Sequence, residues 1–238
     1  MTELTINIYA DGAELDQMEK VFQSGKVTGF TTNPTLMKKA GIKNYGTFAK
    51  EAVNKFPDVP ISFEVFADDF ETMEKEANAL AEFGDNVFVK IPITNTKGES
   101  SIPLIKKLAD KGVQLNVTAI FTLKQVEEVV DALQEGVASI VSVFAGRIAD
   151  SGRDPIPMMK ESAEICHRKA GVQLLWASPR EVLNIIQAQE VGADIITCTP
   201  DLINKTDNFG KDLEEFSLDT VKMFFNDSKE LGFSVLSD

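Results

Sequence analysis

The sequence predicts one α/β domain over residues 1–238: a (β/α)8 barrel with an additional C-terminal helix. Three observations carry that prediction. Short β-branched runs alternate with amphipathic segments along the whole chain, eight such runs can be counted, and no shift in composition divides one half from the other. A length of 238 residues suits a barrel of this kind without splitting into two domains.

The runs come in order. Leu4–Ala10, Lys26–Thr31 and Val59–Phe66 are the first three. Phe70–Glu82 then reads as a helix with Met73, Ala77 and Leu80 on one face, and it leads to the fourth run, Val87–Ile93. Val113–Ala119 is the fifth, followed by a helical pattern over Leu123–Gln134 that aligns Val126, Val130 and Leu133. Ser139–Phe144, Val172–Trp176 and Asp194–Cys198 complete the set. Gly or Asp marks the returns from helix to strand, as in Phe83-Gly84-Asp85 and Asp110-Lys111-Gly112, where Gly can close a helix in the left-handed conformation. An open doubly wound sheet is the rival architecture, but its usual Gly-rich first turn is missing, with neither G-x-G-x-x-G nor a Walker pattern present. After the eighth run, Phe209–Leu231 reads as a helical extension whose Leu213, Phe216, Val221 and Phe225 offer more apolar surface than a tail should expose. It packs over its own barrel or over a neighbouring subunit.

Composition narrows the function classes. With 43% hydrophobic and 26% charged residues the chain can bury a large core, and disorder is disfavoured. A formal net charge of −13, with no run of Lys and Arg, disfavours nucleic acid and acidic membrane surfaces. Two or three focused cations can still bind one phosphate against that background, which draws attention to Arg147 and Arg180. Cys166 and Cys198 are too few for a disulfide framework and fit a reducing compartment. Met1–Asp16 carries Glu3, Asp11 and Glu14 and lacks the pattern of an export signal, and no stretch approaches the roughly 18 apolar residues of a membrane span. The cytoplasm is the expected location.

In a barrel the catalytic groups project from the C-terminal ends of the strands and the loops beyond them. Lys90 interrupts an otherwise apolar fourth run, Val87–Ile93. A buried ammonium is costly, desolvation favours the neutral amine, and a neutral lysine attacks carbonyl carbon. From this run alone, a lysine whose stem is buried and whose head escapes to solvent fits equally well. Other runs add to the case. Glu64 ends the polar positions of the third, Asn116 and Thr118 share a face of the fifth, and Asp11 follows the first. Each alone reads as a structural polar group, whereas their convergence on one lumen suits carbon–carbon cleavage through an iminium ion. That chemistry needs no metal or organic cofactor, and no His-Cys-carboxylate cluster suggests one. Arg147 after the sixth run, and Ser178 with Arg180 after the seventh, are candidates for a phosphate site, although either arginine alone reads as a salt-bridged surface residue. His167, beside Arg168 and Lys169, reads as a solvated helix residue, and Trp176 as core packing.

Five segments then share a pattern: Gly29–Leu36 (GFTTNPTL), Val89–Pro92 (VKIP), Leu115–Phe121 (LNVTAIF), Val143–Ile148 (VFAGRI) and Ala177–Arg180 (ASPR). Together they resemble the transaldolase family, in the short-chain branch that also contains fructose-6-phosphate aldolases. The resemblance implies that Lys90 is the Schiff-base lysine and that Asp11 is the acid/base at the substrate hydroxyl. It implies that Glu64 and Thr118 hold the catalytic water, that Thr31, Asn33, Asn116 and Ser142 line the dihydroxyacetone subsite, and that Phe144 is among the substrate-binding residues. Arg147, Ser178 and Arg180 would bind phosphate. The implied reaction moves a three-carbon unit from sedoheptulose 7-phosphate to glyceraldehyde 3-phosphate, or the reverse from fructose 6-phosphate, a step of the pentose phosphate pathway.

Members that release free dihydroxyacetone carry Gln at the position of Glu64 and Tyr at that of Phe144, so this sequence has the pair seen in transferases. Gly12, where relatives usually have Thr, and Pro179, where an aromatic residue is usual, depart from the pattern and put donor preference in question. A non-catalytic sugar-phosphate-binding barrel is the remaining alternative. Relatives of this branch form rings, often with the last helix crossing to a neighbour, so a homo-oligomer is expected.

Overall fold

Eight parallel strands close on themselves in the computed structural model, which describes residues 4–233 and 235–236. Glu3, one of the acidic residues read at the N-terminus, lies outside the described residues. The strands are β1 (Asn7–Asp11), β2 (Gly29–Thr31), β3 (Ile61–Glu64), β4 (Val87–Pro92), β5 (Leu115–Ile120), β6 (Ser139–Val143), β7 (Val172–Trp176) and β8 (Ile195–Cys198). Each pairs with the next, and β8 pairs back onto β1. Between them run α1 (Leu15–Gln23), α2 (Pro34–Lys39), α3 (Tyr45–Lys55), α4 (Phe70–Ala81), α5 (Ile102–Ala109), α6 (Leu123–Ala132), α7 (Ala145–Asp150), α8 (Ile156–Cys166) and α9 (Leu183–Glu190), with α10 (Pro200–Asn204) after β8.

Local chemistry sets several of these ends. Asn33 and Asp69 start α2 and α4 by accepting from the backbone N–H of Leu36 and Thr72, at 2.9 and 2.8 Å. Thr122 and Gln125 exchange reciprocal bonds at the start of α6. The paired strands are shorter than the β-branched runs that contain them, and β3 shows why. Pro60 has no N–H for the ladder, and the N–H of Phe66 turns away to Glu76 Oε2 at 2.7 Å. The paired strand, Ile61–Glu64, lies between those breaks.

Within the barrel, inward-facing side chains stack in two layers two residues apart, as the period of a strand requires. The lower layer is mainly apolar and buried, with Tyr9, Phe88, Ile140, Leu175 and Ile195 in one cluster. Gly29 is opposite Tyr9 in the β1–β2 register, and a Cβ there would come within 2.4 Å of the tyrosine ring, so glycine is what admits that ring. One step up four of the strands the residues turn polar: Asp11 follows Tyr9, Lys90 follows Phe88, Ser142 follows Ile140 and Thr197 follows Ile195.

The chain forms two compact units, of which Leu4–Asn204 holds the barrel. The other begins at Lys205 and contains α11 (Leu213–Leu231), none of whose residues is buried. This helix starts later than Phe209. Gly210 has φ 73°, and Asp212 caps the helix by accepting from the N–H groups of Glu214 and Glu215. Among the described residues no helix is long and apolar enough to cross a membrane.

Candidate active site

The polar layer opens into a cavity of about 450 Å³ at the C-terminal ends of the strands. Lys90 enters it from β4 and is only 7% exposed. Its Nζ lies 3.2 Å from Glu64 Oε2 and donates to the carbonyl oxygen of Thr32, also at 3.2 Å. Register explains the first contact, because Glu64 is the direct neighbour of Lys90 across β3–β4. The amine therefore points into the lumen, and the carboxylate beside it offsets part of the cost of burial.

Tyr45, at the start of α3, donates its hydroxyl proton to the backbone carbonyl of Glu64 at 2.7 Å. Burial first, then the charge of Glu64, push the phenol well above its ordinary range, so Tyr45 stays a neutral donor. It ties the end of β3, and with it Glu64, to a helix.

Asp11 closes the opposite side. Thr31 donates to its Oδ1 at 3.1 Å and also meets the hydroxyl of Thr197 at short range. Burial pushes the Asp11 carboxyl above its ordinary value, against the opposing pull of Lys90 and the Thr31 hydrogen bond, while Glu64 adds to the rise. A carboxyl raised in this way can both take and return a proton nearer neutrality.

Thr118 sits at a bulge. Val117 pairs with Val141 and Ile120 with Val143, so two residues of β5 oppose Ser142 alone, and Ala119 takes φ 60°. Thr118 lines the cavity, and its hydroxyl is buried with no hydrogen-bond partner. A buried hydroxyl without a protein partner calls for a water or substrate oxygen. The second non-glycine residue with positive φ is Ser178, at 62°, and it too lines the cavity. Among the described residues the strained backbone of this kind is confined to the cavity rim.

The expected site residues do not all reach the space. Asp11, Thr31, Asn33, Glu64, Lys90 and Thr118 line it, as do Ser142, Phe144, Arg147 and Ser178. Asn33 lines it while also capping α2. Asn116 does not line it: it is fully buried one layer lower, donating to Ser62 Oγ at 2.9 Å and accepting from Ser142 Oγ at 2.6 Å. It reaches the cavity only through the serine it holds. Arg180 is also outside the lining. Its Nε donates to Asp150 Oδ1 at 2.9 Å, and its Nη2 donates to Asp150 Oδ2. Arg147 lies over the Phe144 ring, 5.3 Å from its centroid. Gly146 lets this corner assemble, since a Cβ there would fall 1.5 Å from the Ser178 carbonyl oxygen and 3.4 Å from Arg180 Nε.

Sequence reasoning missed Thr197, Tyr45, Ser62 and Asp150. Thr197 had a signal: it stands two residues after an inward Ile195, the spacing by which Lys90 follows Phe88. The others depend on contacts between distant segments.

Other groups are less suited to the chemistry. Burial pushes the thiols of Cys166 and Cys198 up to about 12, leaving little thiolate. His167 lies just beyond α8, half-exposed, with its Nε2 2.9 Å from Asp194 Oδ2. Trp176 is buried and does not line the cavity. Among the described residues no group of His, Cys, Asp or Glu could hold a metal ion.

Comparison with known proteins points the same way as this geometry. A family model described as Transaldolase/Fructose-6-phosphate aldolase matches residues 8–235. A probable transaldolase of Nitrosopumilus maritimus (strain SCM1) is 32% identical over 224 residues, covering 88% of this chain and 96% of that protein. One of Dehalococcoides mccartyi is 34% identical over 194 residues, with 81% and 86% covered. One of Porphyromonas gingivalis is 36% identical over 196 residues, with the same coverage. The crystal structure of KGPDC from Streptococcus mutans matches with a TM-score of 0.58 at 13% identity, covering 85% of this chain and 91% of that one, a likeness of fold alone.

Proposed function

Because the chain belongs to the transaldolase/fructose-6-phosphate aldolase family, we propose that it is a transaldolase that carries a dihydroxyacetone unit on Lys90 between sugar phosphates. The observation that carries this reading is the placement of the Lys90 amine 3.2 Å from Glu64, inside a cavity that Asp11 and Thr118 also line. In the forward direction the donor is sedoheptulose 7-phosphate and the acceptor glyceraldehyde 3-phosphate, giving erythrose 4-phosphate and fructose 6-phosphate. This is a step of the pentose phosphate pathway, carried out in the cytoplasm.

Each step then has a residue. The Lys90 amine adds to the ketose carbonyl, and loss of water, handled by Glu64 with a water on the Thr118 hydroxyl, leaves an iminium ion. Asp11 takes the proton of the hydroxyl on the fourth carbon. The bond between the third and fourth carbons breaks, its electrons flow into the iminium, and an aldehyde departs from an enamine still held on Lys90. The acceptor aldehyde enters, and the same steps run backwards. Arg147 and Ser178 hold the phosphate end, with Arg180 joining them when it leaves Asp150.

Glu64 and Phe144 in the cavity favour transfer over release of free dihydroxyacetone. Assembly into a homo-oligomer belongs to the same reading, with the apolar residues of α11 as the sequence feature behind it, and light scattering tests it. The deciding experiment adds borohydride with fructose 6-phosphate and maps the adduct by mass spectrometry. Labelling on Lys90, absent in Lys90→Ala, is the expected result; equal labelling of the variant refutes the assignment. Substantial product without an acceptor aldehyde would favour the aldolase.

A further inference from the structure

We propose that Thr197 is a positioning residue that orients the Thr31 hydroxyl and thereby fixes Asp11 for proton transfer. The inference rests on the reading of Asp11 given above and adds a residue to it.

It follows from counting protons. The Thr31 hydroxyl has one proton and two oxygen neighbours, Asp11 Oδ1 at 3.1 Å and the Thr197 hydroxyl. An ionised carboxylate is the stronger acceptor, so Thr31 gives its proton to Asp11. The short contact between the two hydroxyls then needs the other proton, and Thr197 donates to Thr31. The chain runs in one direction, from β8 through β2 to the end of β1, and each donor polarises the next.

Proximity makes the direction firm. Thr31 is 2% and Thr197 8% exposed although both line the cavity, and the short contact between their hydroxyls makes each the near partner of the other. Without Thr197 as donor, Thr31 is free to rotate, and Asp11 loses the fixed hydrogen bond that opposes the effect of burial on it. The charged groups facing Asp11 are Lys90 from β4 and Glu64 from β3, while Cys198 on β8 stays a neutral thiol. Thr31 is the neutral partner that selects one carboxylate oxygen.

Thr197→Val keeps the shape and removes the hydroxyl, whereas Thr197→Ser keeps the hydroxyl. The assay is three-carbon transfer from fructose 6-phosphate to erythrose 4-phosphate across pH, with borohydride trapping alongside. Thr197→Val is expected to lose about 10-fold in kcat, the scale of a hydrogen bond to a charged group. KM should change little, the adduct on Lys90 should still form, and the acidic limb of the pH profile should move to higher pH. Thr197→Ser should restore the wild-type profile.

In a Thr31→Val background, Thr197→Val should cost nothing more, because it acts through Thr31. Thr197→Ala carries the same expectations should the valine variant fold poorly. Wild-type kcat with an unmoved limb, failure of serine to rescue, or additive losses in the double variant overturns the proposal while leaving Lys90 chemistry standing. Absence of any adduct in the wild type brings down both readings.

Discussion

The two layers of the lumen share the same strands and differ by two residues, yet they obey opposite rules. The lower layer is closed by Tyr9, Phe88, Ile140 and Leu175, each at most 6% exposed, and its neighbours constrain it by shape. The upper layer sets Asp11, Glu64 and Lys90 around open space, where charge and proton position matter more than fit. A rigid lower layer lets the upper one hold groups that would otherwise relax toward water or toward each other.

The comparison can be broken in four ways. The largest effect is expected in the upper layer: Lys90→Ala should lower kcat by a factor on the order of 10⁴ to 10⁶, as removal of a covalent nucleophile does, with little change in melting temperature. A comparable loss of stability would mean that the lysine also holds the fold. Next, Phe88→Ala in the lower layer should cost about 3–5 kcal/mol in denaturant unfolding. Its folded fraction should still form the borohydride adduct, and failure to do so would show that the layers are not separable.

Third, Gly146→Ala tests the rim, where the Ser178 carbonyl leaves no room for a methyl group. Displacing that loop should reduce kcat/KM for fructose 6-phosphate by about 10²-fold, as misplacement by an ångström can. Unphosphorylated fructose should be affected far less, and an equal loss would remove the loop from phosphate recognition.

The smallest effect concerns stability and pH. Because burial raises the Asp11 carboxyl above its ordinary value, the folded state binds this proton more tightly than the unfolded state does. The associated stability is present at low pH and is lost as pH rises through the folded value, leaving a penalty at neutrality. Asp11→Asn removes that penalty, so it should lose activity yet melt at a higher temperature than the wild type at pH 7. The advantage should fade as pH falls below the ordinary carboxylate value, and a variant that melts lower at pH 7 would contradict the sign.

Much of the barrel could be read from short apolar runs alternating with amphipathic segments and from turn chemistry, because strands buried on both sides carry continuous apolar runs. Lys90 stood out for the same reason: a charge in such a run has few bland explanations. Asn116 shares its face with Thr118, but a face does not give depth, and the structure puts the asparagine one layer down on Ser62 and Ser142. Thr197 was hidden because threonine is also a common strand former, so Ile-Ile-Thr-Cys reads as ordinary β-sequence. The engagement of Arg180 by Asp150 joins residues 30 apart and left no trace in local pattern. Nor did the bulge at Ala119, since alanine gives no hint of a left-handed backbone.

The apolar floor turns the cavity into a cul-de-sac. In the proposed reaction a leaving aldehyde would go out by the mouth through which the incoming one arrives, so the two sugars would take turns and ping-pong kinetics are the expected result. The three-carbon unit on Lys90 would face that same mouth during the exchange, its fate set by whether another sugar or water comes in next.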